Sequence, residues 1–503
     1  MPEQSLSRKS HFSRDVLTLV TGTTISQIIT ILASPVITRL YGPEAFGLLA
    51  LFNSITAILV VIVCLTYENA IMLPKSDEDA ANLLGLCILI TLAVTILLII
   101  ALFLSGPFLE MILKSSQIGY FFWLIPISIF LSGVFQALTY WNTRTKQFHR
   151  LAIAQVIRSG SSTGAQIGFG FAGFASGGIL IGVSVFGQII STFTLGIQIM
   201  RDHLSFFRKY ITIKGIIVVL KRYSDFPKFY TGAAFLNTFT NMLPVFILTA
   251  YFGPTIAGYY ALGFMVLTMP AYFIKNAIAQ VFFQKAVEDK NISHESIKDT
   301  VGQTIKPLIF ISFLSTLLFI LIGPELFSVI FGPQWAEAGN YVRFLSIWIG
   351  ITFISSPIST LFSVFEKQRF TLFFNIYQLI SQGGALIIGA TTGNALFTIS
   401  LFAIVSFFNN LIAYKYLLGL AGISIQTPKR IITNYLMFSV PFILFILIFQ
   451  YVFPTNNLLI VVVSLFVYAW LPLILLKRDS ELSDLLKNMT ASIPVINKIS
   501  KFL

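Results

Sequence analysis

A cationic side chain inside an apolar run is costly, and two such residues mark where this chain would do its chemistry. In LAIAQVIRSGSSTGAQIGFGFAG, residues 151–173, Gln155, Arg158, Ser159, Ser162 and Gln166 recur at i, i+3, i+4, i+7 and i+11, one polar stripe on a helix. At 1.5 Å per residue Arg158 lies about 10 Å inside the near end of that helix. A guanidinium at that depth either lines a cavity and meets a ligand or forms a salt bridge between helices; against lipid it would cost several kcal/mol. Lys275 lies about 15 Å from Lys285 along its own helix, deep for snorkelling, with Asn276 and Gln280 on its polar side. Arg39 and Arg343 stand near helix ends, where reaching the interface is easy, and are weaker ligand candidates. Gln27, Asn237 and Asn241 add neutral hydrogen-bonding groups. Among the acids, Glu68, beside Asn69, would carry a proton, help hold a coupling cation, or pair with a basic loop residue; Asp225 is a second, weaker candidate. No nucleophile–base pair, phosphate-binding loop or acidic metal cluster occurs in any connector. His11, His149, His203 and His294 lack ligand spacing, and Cys64 and Cys87 read as packing groups in apolar segments. Neither a metal, a cofactor nor a catalytic residue is expected, and the protein is not expected to be an enzyme.

The elements that must position these residues are membrane spans. The chain is 56% hydrophobic and 11% charged, whereas about a quarter of residues in soluble domains are charged. Its apolar runs recur at roughly 20 residues, the length that crosses a bilayer core. The first run ends near Ile37 with no cleavage site, so it reads as an uncleaved span. Others follow at about 46–73, 80–105, 119–142, 151–173, 177–200, 229–252, 256–284, 305–331, 341–365, 371–391, 394–418, 431–453 and 457–476, predicting an all-α polytopic membrane protein of 14 transmembrane helices. With the N-terminus in the cytoplasm, every Lys and Arg except Arg39, Lys114, Arg343, Arg158 and Lys275 falls on the cytoplasmic side. This is the positive-inside pattern, and it places both termini inside. The net charge of +13 therefore reflects topology, and no nucleic-acid partner is implied.

The chain also contains one stretch twice. Residues 40–51, LYGPEAFGLLAL, return as residues 251–262, YFGPTIAGYYAL; one offset matches Gly42 with Gly253, Pro43 with Pro254, and Gly47 with Gly258. Two parallel six-helix repeats are expected. The boundaries are an N-terminal lobe at 1–200, a cytoplasmic connector with an interfacial helix at 201–228, and a C-terminal lobe at 229–418. Two additional spans at 419–476 and an amphipathic tail at 477–503 complete the chain. In the connector and tail, apolar residues such as Leu482, Leu485, Leu486 and Met489 at helical spacing predict helices lying on anionic lipid. Gly160, Gly164 and Gly168 form a ladder opposite the polar stripe and predict close packing with a neighbouring helix.

These residues resemble the polysaccharide-biosynthesis flippases, the lipid-linked-oligosaccharide (O-antigen and exopolysaccharide) translocases, whose superfamily includes the multidrug and toxin extruders. The resemblance rests on Pro35 to Gly47 (PVITRLYGPEAFG), Tyr67 to Pro74 (YENAIMLP), Phe226-Pro227 after Tyr223, Asn237, Pro244, Gly258 to Leu262 (GYYAL), Pro270, Trp335 to Trp348 and Pro357. It implies an extruder-like fold of two six-helix lobes around a cavity that opens alternately to each side. It implies a bacterial inner-membrane protein that carries an undecaprenyl-pyrophosphate-linked oligosaccharide outward, working beside a glycan polymerase and export partners. Arg158 and Lys275 would then match the anionic pyrophosphate. A cation-coupled drug extruder is the second reading, favoured by cavity carboxylates, of which this chain has few. A glycan-polymerising membrane enzyme would need large outer loops, and the outer connectors are short.

Overall fold

The computed structural model describes residues 22–113, 120–479 and 481–485, and every regular element among them is helical. Hydrocarbon offers backbone groups no partner, so apolar runs of this length satisfy their own N–H and C=O groups as helices. The chain divides into two compact units, Met1–Ala261 and Leu262–Leu503. The first contains α1 (Gly22–Leu40), α2 (Pro43–Val63), α3 (Tyr67–Ala70), α4 (Asp77–Leu113), α5 (Leu124–Arg144), α6 (Phe148–Phe171), α7 (Gly177–Tyr210), α8 (Ile213–Arg222) and α9 (Thr231–Phe252). α10 (Pro254–Ile292) begins in the first unit and continues into the second. The second unit then holds α11 (His294–Phe331), α12 (Ala336–Ile358), α13 (Leu361–Val364), α14 (Gln368–Thr391), α15 (Ala395–Leu420), α16 (Gln426–Val452), α17 (Asn457–Tyr468) and α18 (Trp470–Arg478).

Among the described residues, 12 helices are long and apolar enough to cross a membrane. α6 falls short because of its polar stripe, and for α10 the stretch counted is Pro254–Met269, which ends where the described side chains do. Length and apolarity alone therefore do not carry the expected 14. The protein is nonetheless a multi-pass, all-α membrane protein.

The duplicated stretch forms a contact within the first unit. Pro43 and Pro254 each open a helix, α2 and α10, where the missing N–H costs nothing. Five residues into each helix the two copies meet. A Cβ on Gly47 would collide with the Pro254 carbonyl, one on Gly258 with the Pro43 carbonyl, and each would lie 3.0 Å from the other glycine's backbone nitrogen. The contact is reciprocal, and only glycine permits it. The preceding matched pair is not equivalent. Gly253 has φ 87°, in the left-handed region, while Gly42 has φ −73°, open to most residues.

The second expected span, 46–73, is broken. α2 stops at Val63, and Leu65 and Thr66 take φ of 49° and 59°. A β-branched residue is rarely held there. Thr66 is kept in place because its Oγ1 donates to the Phe226 carbonyl at 3.2 Å and bonds the Thr231 hydroxyl at 3.0 Å. The connector contains α8, which exposes Ile213, Ile217 and Val218 beside Lys214 and Lys221. Its entry bend is fixed by Asn82 on α4. The Asn82 amide donates to the Tyr210 carbonyl at 3.0 Å and accepts from the Thr212 N–H at 3.0 Å.

In the second unit a single apolar cluster joins α11, α12, α15, α16 and α18 and includes Leu482. The start of the expected amphipathic tail is thus docked on protein. Lys306 fastens it, pairing with Asp479 at 2.8 Å and Glu481 at 2.6 Å. Leu486 and Met489 lie outside the described residues.

Candidate functional site

α6 carries the predicted stripe, and α1 runs beside it. Ser26 donates to the Gln155 carbonyl at 3.2 Å, Gly22 abuts Ala152, and the Tyr41 hydroxyl donates to the Gln166 carbonyl at 2.8 Å. Gln27 of α1 and Gln155, Ser162 and Gln166 of α6 are half-buried. Ser162 spends its hydroxyl on the Arg158 carbonyl at 2.8 Å. The glycine ladder does not behave as expected. Gly160, Gly164 and Gly168 have nothing within 4 Å of where a Cβ would sit, so they face open space. The close approach is made instead by Gly187 of α7, whose Cβ would lie 3.0 Å from the Arg158 carbonyl and 2.9 Å from the Ser162 Cβ. Helical spacing shows that three glycines share a face but not which neighbour covers it.

The Arg158 side chain is exposed and makes no ion pair or side-chain hydrogen bond among the described residues. The interhelical salt bridge left open by the sequence is therefore not formed with them. A guanidinium without a partner is costly against hydrocarbon and is relieved by water or an anion.

Glu68 lies past the end of α2, on α3. It is 4% exposed, and its Oε2 has no hydrogen-bond partner among the described residues. The basic-loop pairing expected as one option is not made. Arg144, at the end of α5, instead pairs with Asp77 at 2.9 Å and donates to the Ile71 and Ser76 carbonyls. Burial lifts the Glu68 carboxyl to a pKa of about 7. The surrounding junction is rigidly held: Tyr67 donates to the Leu220 carbonyl of α8 at 3.0 Å, and Tyr140 donates to Asn69. Asp225 stands exposed next to Phe226, on which Thr66 docks.

The remaining candidates scatter. Asn237 and Asn241 are exposed one turn apart on α9 and bond each other at 3.1 Å. Arg39 is exposed at the end of α1. Arg343 on α12 faces Glu325 at 3.8 Å and reaches the Leu321 carbonyl at 3.4 Å. Glu325 was not anticipated; it follows Pro324, three residues past the non-helical break at Ile322. Lys275, Asn276 and Gln280 fall within 270–281, whose side chains lie outside the described residues.

Residues 36–340 match the sequence model of the polysaccharide biosynthesis protein family, more than half of the chain. The chain belongs to that family. No curated protein sequence matches it. Among solved structures, the lipid II flippase MurJ in an inward closed conformation superposes with a TM-score of 0.69 at 13% identity, covering 92% of this chain and 99% of that one. An inward-facing multidrug resistance MATE family transporter of the MOP superfamily gives 0.62 at 14% identity, over 82% and 99%. A MOP superfamily transporter from Pyrococcus furiosus, described as having a binding pocket of reversed polarity, gives 0.52 at 14%, over 81% and 95%. At these identities the likeness is one of fold. The extruder-like fold expected from the sequence is the fold this family member has.

Proposed function

We propose that the protein is a flippase. It translocates an undecaprenyl-pyrophosphate-linked oligosaccharide from the cytoplasmic to the periplasmic leaflet of a bacterial inner membrane by alternating access. Membership of a polysaccharide biosynthesis family supports the pathway, and the fold shared with a lipid II flippase supports transport of a lipid-linked substrate. The observation that carries the reading is Arg158, an unpaired cation on the polar stripe of a spanning helix. It suits a diphosphate, and the half-buried Gln155, Gln166 and Gln27 suit sugar hydroxyls. Lys275, Asn276 and Gln280 would extend the same site from α10, with Arg39 and Arg343 as outer relays and Asn237 and Asn241 as further amide contacts. The positive-inside pattern supports cytoplasmic termini, and supply and use of the substrate would fall to glycosyltransferases, a polymerase and export partners. The lobe boundaries read from the repeat, 1–200 and 229–418, belong to the same proposal.

Deletion of the gene tests this reading. Lipid-linked oligosaccharide should accumulate on the cytoplasmic side while surface glycan is lost, and the intact gene should restore both. Unchanged surface glycan would refute it. The second reading, a cation-coupled multidrug extruder, is favoured by one observation: Glu68 is a buried carboxyl without a partner for Oε2. In that case loss of Glu68 would abolish drug efflux, and deletion would leave surface glycan intact.

A further inference from the structure

The second unit contains a counterpart of α6. α14 has the same length, 24 residues, and Phe148–Phe171 and Gln368–Thr391 stand 220 positions apart from end to end. The turns that lead into the two helices match. Lys146 and Glu366 take φ of 58° and 56°, and the Gln147 and Lys367 N–H groups donate to the carbonyls of Asn142 and Phe362 at 2.8 and 2.7 Å. Within the helices Ser161 and Ser381 each donate to the carbonyl four residues back, at 2.7 and 2.8 Å. In that register Gln155, Arg158 and Ser162 correspond to Asn375, Gln378 and Gln382. The polar stripe is kept, and an amide stands in place of its cation.

Asn375, Gln378 and Gln382 recur at i, i+3 and i+7, opposite the exposed face formed by Phe373, Ile376, Ile380 and Ile387. The stripe is therefore turned away from lipid. Beside it the Asn409 amide of α15 is spent, donating to the Ser381 hydroxyl at 2.8 Å. The three stripe amides make no side-chain hydrogen bond among the described residues. Gln382 is 6% exposed, yet its amide is not sealed in as the Gln136 and Gln198 oxygens are. A nearly buried amide without a partner is destabilising, and it marks a place where a partner is missing. α14 carries no charged residue after Arg369, so an anion would find no cation on the stripe and a cation no carboxylate. An amide offers two donors and an acceptor, which suits hydroxyl groups that both give and take. We propose that α14 carries a sugar-reading face: the Asn375, Gln378 and Gln382 amides hold hydroxyl groups of uncharged sugars in the carried oligosaccharide and so select the glycan. Resting on the flippase reading, this assigns the diphosphate to Arg158 on α6 and sugar hydroxyls to α14. A site built to bond a hydroxyl rejects a glycan that lacks it, because its amides are then left unpaired.

Native mass spectrometry of the full-length protein tests this with two probes, lipid-linked oligosaccharide extracted from the deletion strain and undecaprenyl pyrophosphate without sugar. The wild type should retain the first at least tenfold better than the second. Gln378→Leu and Gln382→Leu should each lower retention of the oligosaccharide at least fivefold and leave that of undecaprenyl pyrophosphate within twofold. Neither change removes a hydrogen bond within the protein, so Gln382→Leu should melt no lower than the wild type. Unchanged retention of the oligosaccharide in both variants overturns the proposal, and a lowered melting temperature beside it would show a packing role. An equal loss of both probes also overturns it, since α14 would then hold the carrier and not the sugar. Equal retention of the two probes by the wild type overturns the sugar-reading face alone; a deletion strain that accumulates no lipid-linked oligosaccharide and keeps its surface glycan refutes the flippase reading and this proposal together. Should Gln382→Leu not fold, Gln378→Leu decides by itself.

Discussion

Glu68 shows how one residue's environment changes its chemistry. Its carboxyl is buried at a break between helices, and burial raises its pKa from 4.5 to about 7. A group whose pKa is higher folded than unfolded binds its proton more tightly in the folded chain, so its stabilising effect is complete below about pH 4.5 and fades as the pH approaches 7. At 1.36 kcal/mol per unit the loss is about 3 kcal/mol at most. Thermal unfolding of the wild type should therefore weaken between pH 5 and pH 8, and Glu68→Gln should be flatter across that window and more stable above it. Identical pH slopes would show that Glu68 is ionised in the folded protein. The sequence marked Glu68 as an acid near a span end but left open whether a basic loop residue paired with it. Among the described residues no basic side chain pairs with it, and Arg144 is spent on Asp77 and on two carbonyls; spacing alone does not show which acid a base takes. Arg343 illustrates the reverse: it was visible as a charge near a span end, but its neighbour Glu325, 18 residues earlier on another helix, was not.

The helices themselves were largely legible, because a run of apolar residues has no other way to satisfy its backbone in hydrocarbon. Their contacts were less so. The ladder Gly160, Gly164 and Gly168 faces open space, while the repeated Gly47 and Gly258 pack directly on each other's helix. Gly47→Ala or Gly258→Ala must push α2 and α10 apart, an overpacking cost of about 1–3 kcal/mol. The double substitution should cost less than the two singles added, since the helices separate once, and Gly160→Ala should be close to neutral. Melting temperatures in one detergent decide between this and simple additivity. Asn82 is a second contact that sequence reasoning missed, an amide in the first part of a span that resembles any polar helix residue. It holds the bend between α7 and α8, and Asn82→Ala leaves the Thr212 N–H and Tyr210 C=O without it. A loss of about 2 kcal/mol is expected, along with faster proteolysis within residues 201–228. Unaltered cleavage there would show that the bend is held by other contacts.

For the molecule as a whole, composition and the positive-inside pattern identified a polytopic membrane protein, and the duplicated motif and its companions pointed to the family that residues 36–340 match. What remained hidden was which polar residues meet. α1 packs on α6 through Ser26 and Tyr41, which donate to the Gln155 and Gln166 carbonyls, and its own sequence carries little sign of that partner. The flippase reading depends on the cation in that pair being available to an anion. Surface-glycan export in cells whose only copy carries Arg158→Gln or Arg158→Lys, at matched protein levels, tests it most directly. Export at least tenfold lower in Arg158→Gln, with substantial recovery in Arg158→Lys, is the expected result; wild-type export from Arg158→Gln would contradict it.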